Sequence, residues 1–195
     1  MTLTVSRSPE RDRCLTFYEI SWTQFQSIEV AFENVAGIRF IYLDGILDIM
    51  TLSPEHEEYK STIALLIEAY LREAGIRFYV KGSPTLGSEE QQARKEPDES
   101  YNIETKKAMP DLAIEVTFTS GGVDKLKLYQ RLGVGEVWFW EDGVLNIYVL
   151  REKYEEVEQS ELLPDLDLEL LKRYITYHDQ YDAVREFTRA LRDRA

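Results

Sequence analysis

The chain has 195 residues, 44% of them hydrophobic, which suits one globular domain with a substantial core. Its 36 acidic residues outnumber 23 basic ones, and the resulting net charge of −13 argues against a broad basic nucleic-acid surface. Cys14 is the only cysteine, which excludes an intramolecular disulfide and speaks against a thiolate zinc site. No apolar stretch nears the roughly 18 residues of a membrane span, and MTLTVSRSPERDRC lacks the apolar segment of a signal peptide, so a cytoplasmic protein with no membrane partner is expected.

In chain order, a ragged, charged N-terminus leads into ISWTQFQSIEVAFEN, read as a short helix capped by Ser21. IRFIYL and ILDIM flank Asp44-Gly45, a strong hairpin signal. Ser53-Pro54-Glu55 opens the clearest helix, ended by Gly75, with an inward stripe of Tyr59, Ile63, Ile67 and Tyr70. IRFYV reads as a strand, and GSPTLGSEEQQARK as a polar loop between strands of one sheet. YNI and PDLAIEVT then read as strands, and SGGVDKLKLYQRLGV as a helix of about three turns entered through two glycines and closed by Gly133. EVWFW, Asp142-Gly143 and VLNIYVL form a second hairpin; a short strand near KYEEVEQ and two C-terminal helices complete the chain. There is no internal repeat and no low-complexity segment. The pattern describes an α/β (α+β) fold, a mixed sheet elaborated by two hairpins and terminal helices, with residues 1–195 as one domain.

The segment EPDESYNIETKKAMPDLAIEV places acids in or beside strands, where they are depleted. Alternation puts Leu112, Ile114 and Val116 on one face and Asp111, Ala113, Glu115 and Thr117 on the other. Asp111 and Glu115 lie roughly 13 Å apart along one strand, too far to grip one ion. If the two strands pair antiparallel with Ile103 opposite Pro110, however, Asp98 falls directly across from Glu115, with β-carbons roughly 4.5 to 5.5 Å apart. Facing carboxylates repel unless a cation, a proton or a basic side chain lies between them, and a hard divalent cation such as magnesium would serve. The plainer reading makes Asp98 a turn residue and Glu115 a salt-bridged residue at the sheet edge.

Lys125 shares a helical face with Leu128, Tyr129 and Leu132, whereas Lys127 falls on the solvent side with Gln130 and Arg131. A lysine on an apolar stripe either snorkels to solvent or meets an acid, here the Asp98 and Glu115 pair. Trp138 and Trp140 are expected in core or dimer packing rather than in base stacking, and Asp111 in turn hydrogen bonds. His178 belongs to no recognisable constellation.

Pro97-Asp98, then Glu115, then a lysine resembles the PD-(D/E)XK nuclease superfamily, and the wording is closer still to its Uma2-like branch, also called DUF820. The resemblance covers roughly residues 40–150: DGILDIM, SPEHE, EPDESYNI, PDLAIEVT, DKLKLYQRLGV and EVWFW stand in the order that branch shows. It implies a restriction-endonuclease-like core and a phosphodiesterase site in which Asp98 and Glu115 ligate Mg2+, for which Mn2+ can substitute. The superfamily's lysine normally stands two residues beyond the acid, where this chain has Thr117; in this branch the next helix supplies it, which matches Lys125. His56 also matches, at the start of the long helix, where the superfamily lends polar groups to the metal's water shell or to phosphate; a hydrogen-bonded core histidine is the other reading. The expected activity is endonucleolytic cleavage of nucleic acid, DNA above all, and a homodimer would suit cutting both strands. The competing class is a non-catalytic nucleic-acid- or protein-binding module that retains the fold, favoured by the negative charge and by Thr117. A glycosidase would also use a close carboxylate pair, but no sugar-binding cleft is identifiable in these residues.

Overall fold

The computed structural model describes residues 12–118 and 121–193. Residues 1–11, most of the segment read as ragged and charged, lie outside the described part. The remainder of that segment is ordered: β1 (Arg13–Phe17) pairs antiparallel with β3 (Ile46–Thr51). Its apolar Leu15 and Phe17 face outward while Cys14 and Thr16 face inward, so the usual inward-apolar alternation was missing.

The predicted elements form where local chemistry demands them. Ser21 and Gln24 exchange hydrogen bonds as a capping box at the start of α1 (Trp22–Ala31). β2 (Ile38–Leu43) and β3 meet at Asp44-Gly45, where both residues have positive φ, 49° and 85°, as the tight turn requires. α2 (Pro54–Glu73) starts at the Ser53 cap with proline in its first turn and buries Ile63, Ile67 and Tyr70, leaving Tyr59 half-buried. After β4 (Phe78–Val80), the expected polar loop does more than connect. β5 (Ala93–Arg94) pairs with β2, and Leu86 bridges to Lys95. Two strand residues amid charged neighbours carry no period that sequence could reveal.

β6 (Glu99–Ile103) and β7 (Leu112–Thr117) are antiparallel, with Glu99 opposite Ile114 and Tyr101 opposite Leu112. Continued one step, this register sets Asp98 against Glu115, as the sequence reading assumed. Asp111 closes the connection, accepting from the Ile103 amide at 2.9 Å and pairing with Lys107 at 2.6 Å. α3 (Lys125–Leu132) carries the chain to β8 (Glu136–Glu141), which pairs parallel with β7. β9 (Val144–Leu150), β10 (Tyr154–Val157), α4 (Leu168–Ile175) and α5 (Gln180–Arg192) follow.

The strands form a four-stranded sheet in the order β1-β3-β2-β5 and a six-stranded mixed sheet in the order β10-β9-β8-β7-β6-β4. The fold is thus the expected mixed α+β architecture. β7 is buried on both faces. Leu112, Ile114 and Val116 pack with Ile63, Leu66, Leu171 and Phe187 of the helical layer. Ala113 packs with Leu128, Tyr129 and Leu132 of α3 and with Ile41, Leu43 and Met50 of the smaller sheet. Glu115 therefore points into the seam between the two sheets and α3. Trp138 and Trp140 are core residues, as expected. Among the described residues, no helix is long and apolar enough to cross a membrane.

Asp48 fastens this seam. Buried in β3, it accepts from Thr16 Oγ1 at 2.6 Å and from the amides of Gly122 and Val123 at 3.0 Å, and a methyl at Gly121 would collide with its carboxylate. It ties β1 and the approach to α3 to one side chain. Asp48→Ala strands those donors and should cost about 2 to 4 kcal/mol in urea unfolding, with Asp48→Asn losing less. A loss below about 1 kcal/mol for the alanine variant would mean that other contacts hold the loop.

Candidate active site

Four parts of the chain converge at the mouth of the seam. Asp98 precedes β6, and Glu115 comes from the neighbouring strand β7. His56 sits in the first turn of α2, its amide bonded to the Ser53 cap at 3.2 Å. Lys125 begins α3. All four line one cavity of about 20 Å3, together with Lys95, Arg39, Glu96 and Val116. That is room for about one water-sized sphere.

Glu115 is 1% exposed and Asp98 7%. Burying carboxylates so deeply requires partners, and both are fully supplied. Glu115 Oε2 lies 2.9 Å from Lys95 Nζ and 3.3 Å from Lys125 Nζ, and its Oε1 accepts from the Tyr129 hydroxyl. Burial and the adjacent Glu115 charge push the Tyr129 hydroxyl well above its usual range, so it stays a neutral donor. Asp98 Oδ2 accepts from the Val116 amide at 2.8 Å, and its Oδ1 stands 3.1 Å from His56 Nε2. That approach is an ion pair by distance, without the alignment of a full hydrogen bond.

His56 is clamped from behind. Its Nδ1 donates to Asp12 Oδ2 at 2.7 Å, and Asp12 Oδ1 accepts from the Ser53 amide at 2.7 Å, so one carboxylate fixes both the helix cap and the imidazole. Burial at a helix N-terminus opposes an imidazolium, but the hydrogen bond to Asp12 and the close carboxylates of Asp98 and Asp12 outweigh it and raise His56 to about 9. Asp98 answers in the opposite sense. Burial would raise its carboxyl, but His56, Lys95 and Lys125 hold it down at about 2. Asp12, also opposed by burial, is lowered by its bonds to His56 and Ser53. Three acids thus meet three cations.

Asp98, Glu115, Lys125 and His56, the four residues singled out from the sequence, come together. Lys125 does not snorkel: its side chain is 14% exposed against 74% for Lys127, and its Nζ is 3.2 Å from Thr117 Oγ1. The ammonium arriving from α3 thereby contacts Thr117, two residues beyond Glu115. Lys95, Tyr129 and Asp12 were missed as site members. Tyr129 was visible as a neighbour of Lys125 on one helical stripe; Lys95 and Asp12 lie in segments with no periodic signal. His178 is exposed and remote from this cluster.

Among the described residues no cluster of three or more histidine, cysteine, aspartate or glutamate side chains is arranged to cage an ion. The donor set is instead two carboxylates, Asp98 and Glu115, on one small cavity, and one or two carboxylates are the ligands by which a hard cation such as magnesium is held.

The His56 and Asp98 shifts fix a pH signature. A folded-state value of about 9 exceeds the unfolded value of roughly 6.5, so the stabilisation is complete below about pH 6.5 and disappears as pH climbs through 9. Asp98, depressed to about 2, contributes above about pH 4 and loses this as pH falls toward 2. The stability gap between wild type and His56→Gln, measured by thermal denaturation in chelator, should be level from about pH 5 to 6.5 and narrow toward pH 9. A gap that widens with rising pH would show His56 held neutral.

The model of the Uma2 family, described as "Putative restriction endonuclease", matches residues 22–176. No curated protein matches the chain. One solved structure that resembles it is titled "Crystal structure of a putative nuclease belonging to DUF820" and comes from Anabaena variabilis ATCC 29413; it is 14% identical, with 76% of this chain and 90% of that one covered and a TM-score of 0.39. With the family model spanning well over half its length, the chain belongs to the Uma2 family.

Proposed function

We propose that this chain is a metal-dependent endonuclease that hydrolyses phosphodiester bonds in nucleic acid, with DNA as its substrate. The observation that carries the reading is the meeting of Asp98 and Glu115, from neighbouring antiparallel strands, on one small cavity that Lys125 also lines. Asp98 and Glu115 would hold Mg2+, which when bound supplies a water of lowered pKa and polarises the phosphoryl oxygen. Lys125, the more exposed of the two lysines on Glu115, is placed to steady charge building on a phosphate or to orient the attacking water. His56 keeps Asp98 ionised and lines the cavity beside it. Arg39, paired with Glu96 at 3.1 Å, adds a cation at the rim. A cytoplasmic setting suits such an activity, and cutting both strands of a duplex would call for two sites, as in a homodimer.

A non-catalytic binding module is favoured by one specific observation: the acid pair is already neutralised by the chain's own cations. Cleavage assays separate the two. Supercoiled and linear duplex DNA with Mg2+ or Mn2+ should be cut by the wild type and not by Asp98→Ala or Glu115→Gln. Lys125→Met should slow cleavage by something like 10²-fold or more, while Lys127→Met should stay within about twofold. Absence of cleavage by the wild type with either metal, together with tighter DNA binding by Asp98→Ala/Glu115→Ala, would replace the nuclease with the binding module.

A further inference from the structure

Neither the strand pairing nor the PD-(D/E)XK pattern gives Lys95 a role, yet it is the better buried and the nearer of the two lysines on Glu115. It is 4% exposed, its Nζ lies 2.9 Å from Glu115 Oε2, and it stands 5.9 Å from the centre of the Tyr129 ring. Its backbone is fixed by reciprocal hydrogen bonds with Leu86, at 3.0 and 2.8 Å, just after β5 joins the smaller sheet. A lysine that turns inward instead of snorkelling gives up hydration, and Glu115 is the carboxylate that compensates it.

The position has a consequence for a divalent cation. Magnesium ligates carboxylate oxygen at about 2.1 Å, so an ion on Oε2 would stand within a few ångströms of an ammonium bonded to the same oxygen. Like charges that close repel strongly where water is scarce. Lys95, Lys125, Asp98 and Glu115 all line the same small cavity, so an ion arriving at Glu115 meets the ammonium already bonded there. Lys125 can withdraw toward solvent, whereas Lys95, once it leaves Glu115, keeps the Glu96 carbonyl 3.4 Å from its Nζ as an acceptor.

We propose that Lys95 is the built-in counter-ion of Glu115: it holds the oxygen that a divalent cation takes, must leave it when the cation binds, and thereby sets the metal affinity of the site. This inference rests on the proposed metal role of Asp98 and Glu115. It makes the acid pair tolerable without metal and the cation exchangeable, and it predicts that removing a buried salt-bridge partner strengthens a binding function.

Calorimetric titration of Mn2+ into chelator-treated protein tests it. Lys95→Met and Lys95→Gln should bind Mn2+ at least tenfold more tightly than the wild type, and Lys95→Met/Glu115→Gln should lose that gain. In chelator, Lys95→Met should melt below the wild type and recover with Mn2+. If Lys95→Met fails to fold, Lys95→Gln retains a neutral donor for Glu115 and carries the test. Equal or weaker binding by the Lys95 variants, beside measurable binding by the wild type, overturns the counter-ion role and leaves the metal site standing. Tight binding that persists in the double variant overturns it too, because the ion then sits elsewhere. No binding by the wild type or by either Lys95 variant overturns both this role and the metal reading beneath it.

Discussion

A carboxylate that is 1% exposed in the middle of a mixed sheet is the constraint around which this molecule is arranged. Glu115 has Asp98 facing it from the adjacent strand, and a buried like-charge pair of this kind is intolerable without compensation. The compensation comes from distant parts of the chain. Lys95 arrives from the smaller sheet, Lys125 and Tyr129 from α3, and His56 from α2 with Asp12 behind it. The elements that pack around β7 are therefore also the elements that discharge it. Breaking one of these partners leaves an uncompensated buried charge, the costly case for a buried ion pair.

The proposed nuclease role asks a chain of net charge −13 to receive phosphate, and the local balance bears on that demand. At neutral pH the three acids are met by an imidazolium and two ammonium groups, and Arg39 stands at the rim paired with Glu96. The excess negative charge lies elsewhere on the surface, where it serves solubility. Inside the cavity the low dielectric makes each cation count for more than it would in solvent. Under the proposed role, binding would rest on few groups in fixed positions, in contrast to a broad basic face.

Much of this arrangement was legible in the sequence because it lies on regular elements. Strand alternation in PDLAIEVT put Glu115 opposite in sense to Leu112, Ile114 and Val116, and the short antiparallel connection allowed the register with Asp98 that the strand pairing then supplies. Helical spacing set Lys125 inward and Lys127 outward, and both Asp-Gly hairpins formed where the turn chemistry placed them. The resemblance to PD-(D/E)XK nucleases singled out His56. What stayed hidden was carried by irregular chain. Lys95 follows a two-residue strand in a charged stretch, and β1 shows its apolar residues to solvent. Asp12 lies just before β1 and meets His56 only through tertiary contact. No local pattern encodes such meetings.

The most direct measurement is anomalous diffraction from crystals of the wild-type protein soaked in Mn2+. One dominant manganese peak is expected between the Asp98 and Glu115 carboxylates, with the Lys95 ammonium displaced from Glu115 Oε2. A dominant peak at any other cluster of acids, or an unchanged Asp98–Glu115 pair with Lys95 and Lys125 still in place at saturating Mn2+, would contradict that expectation.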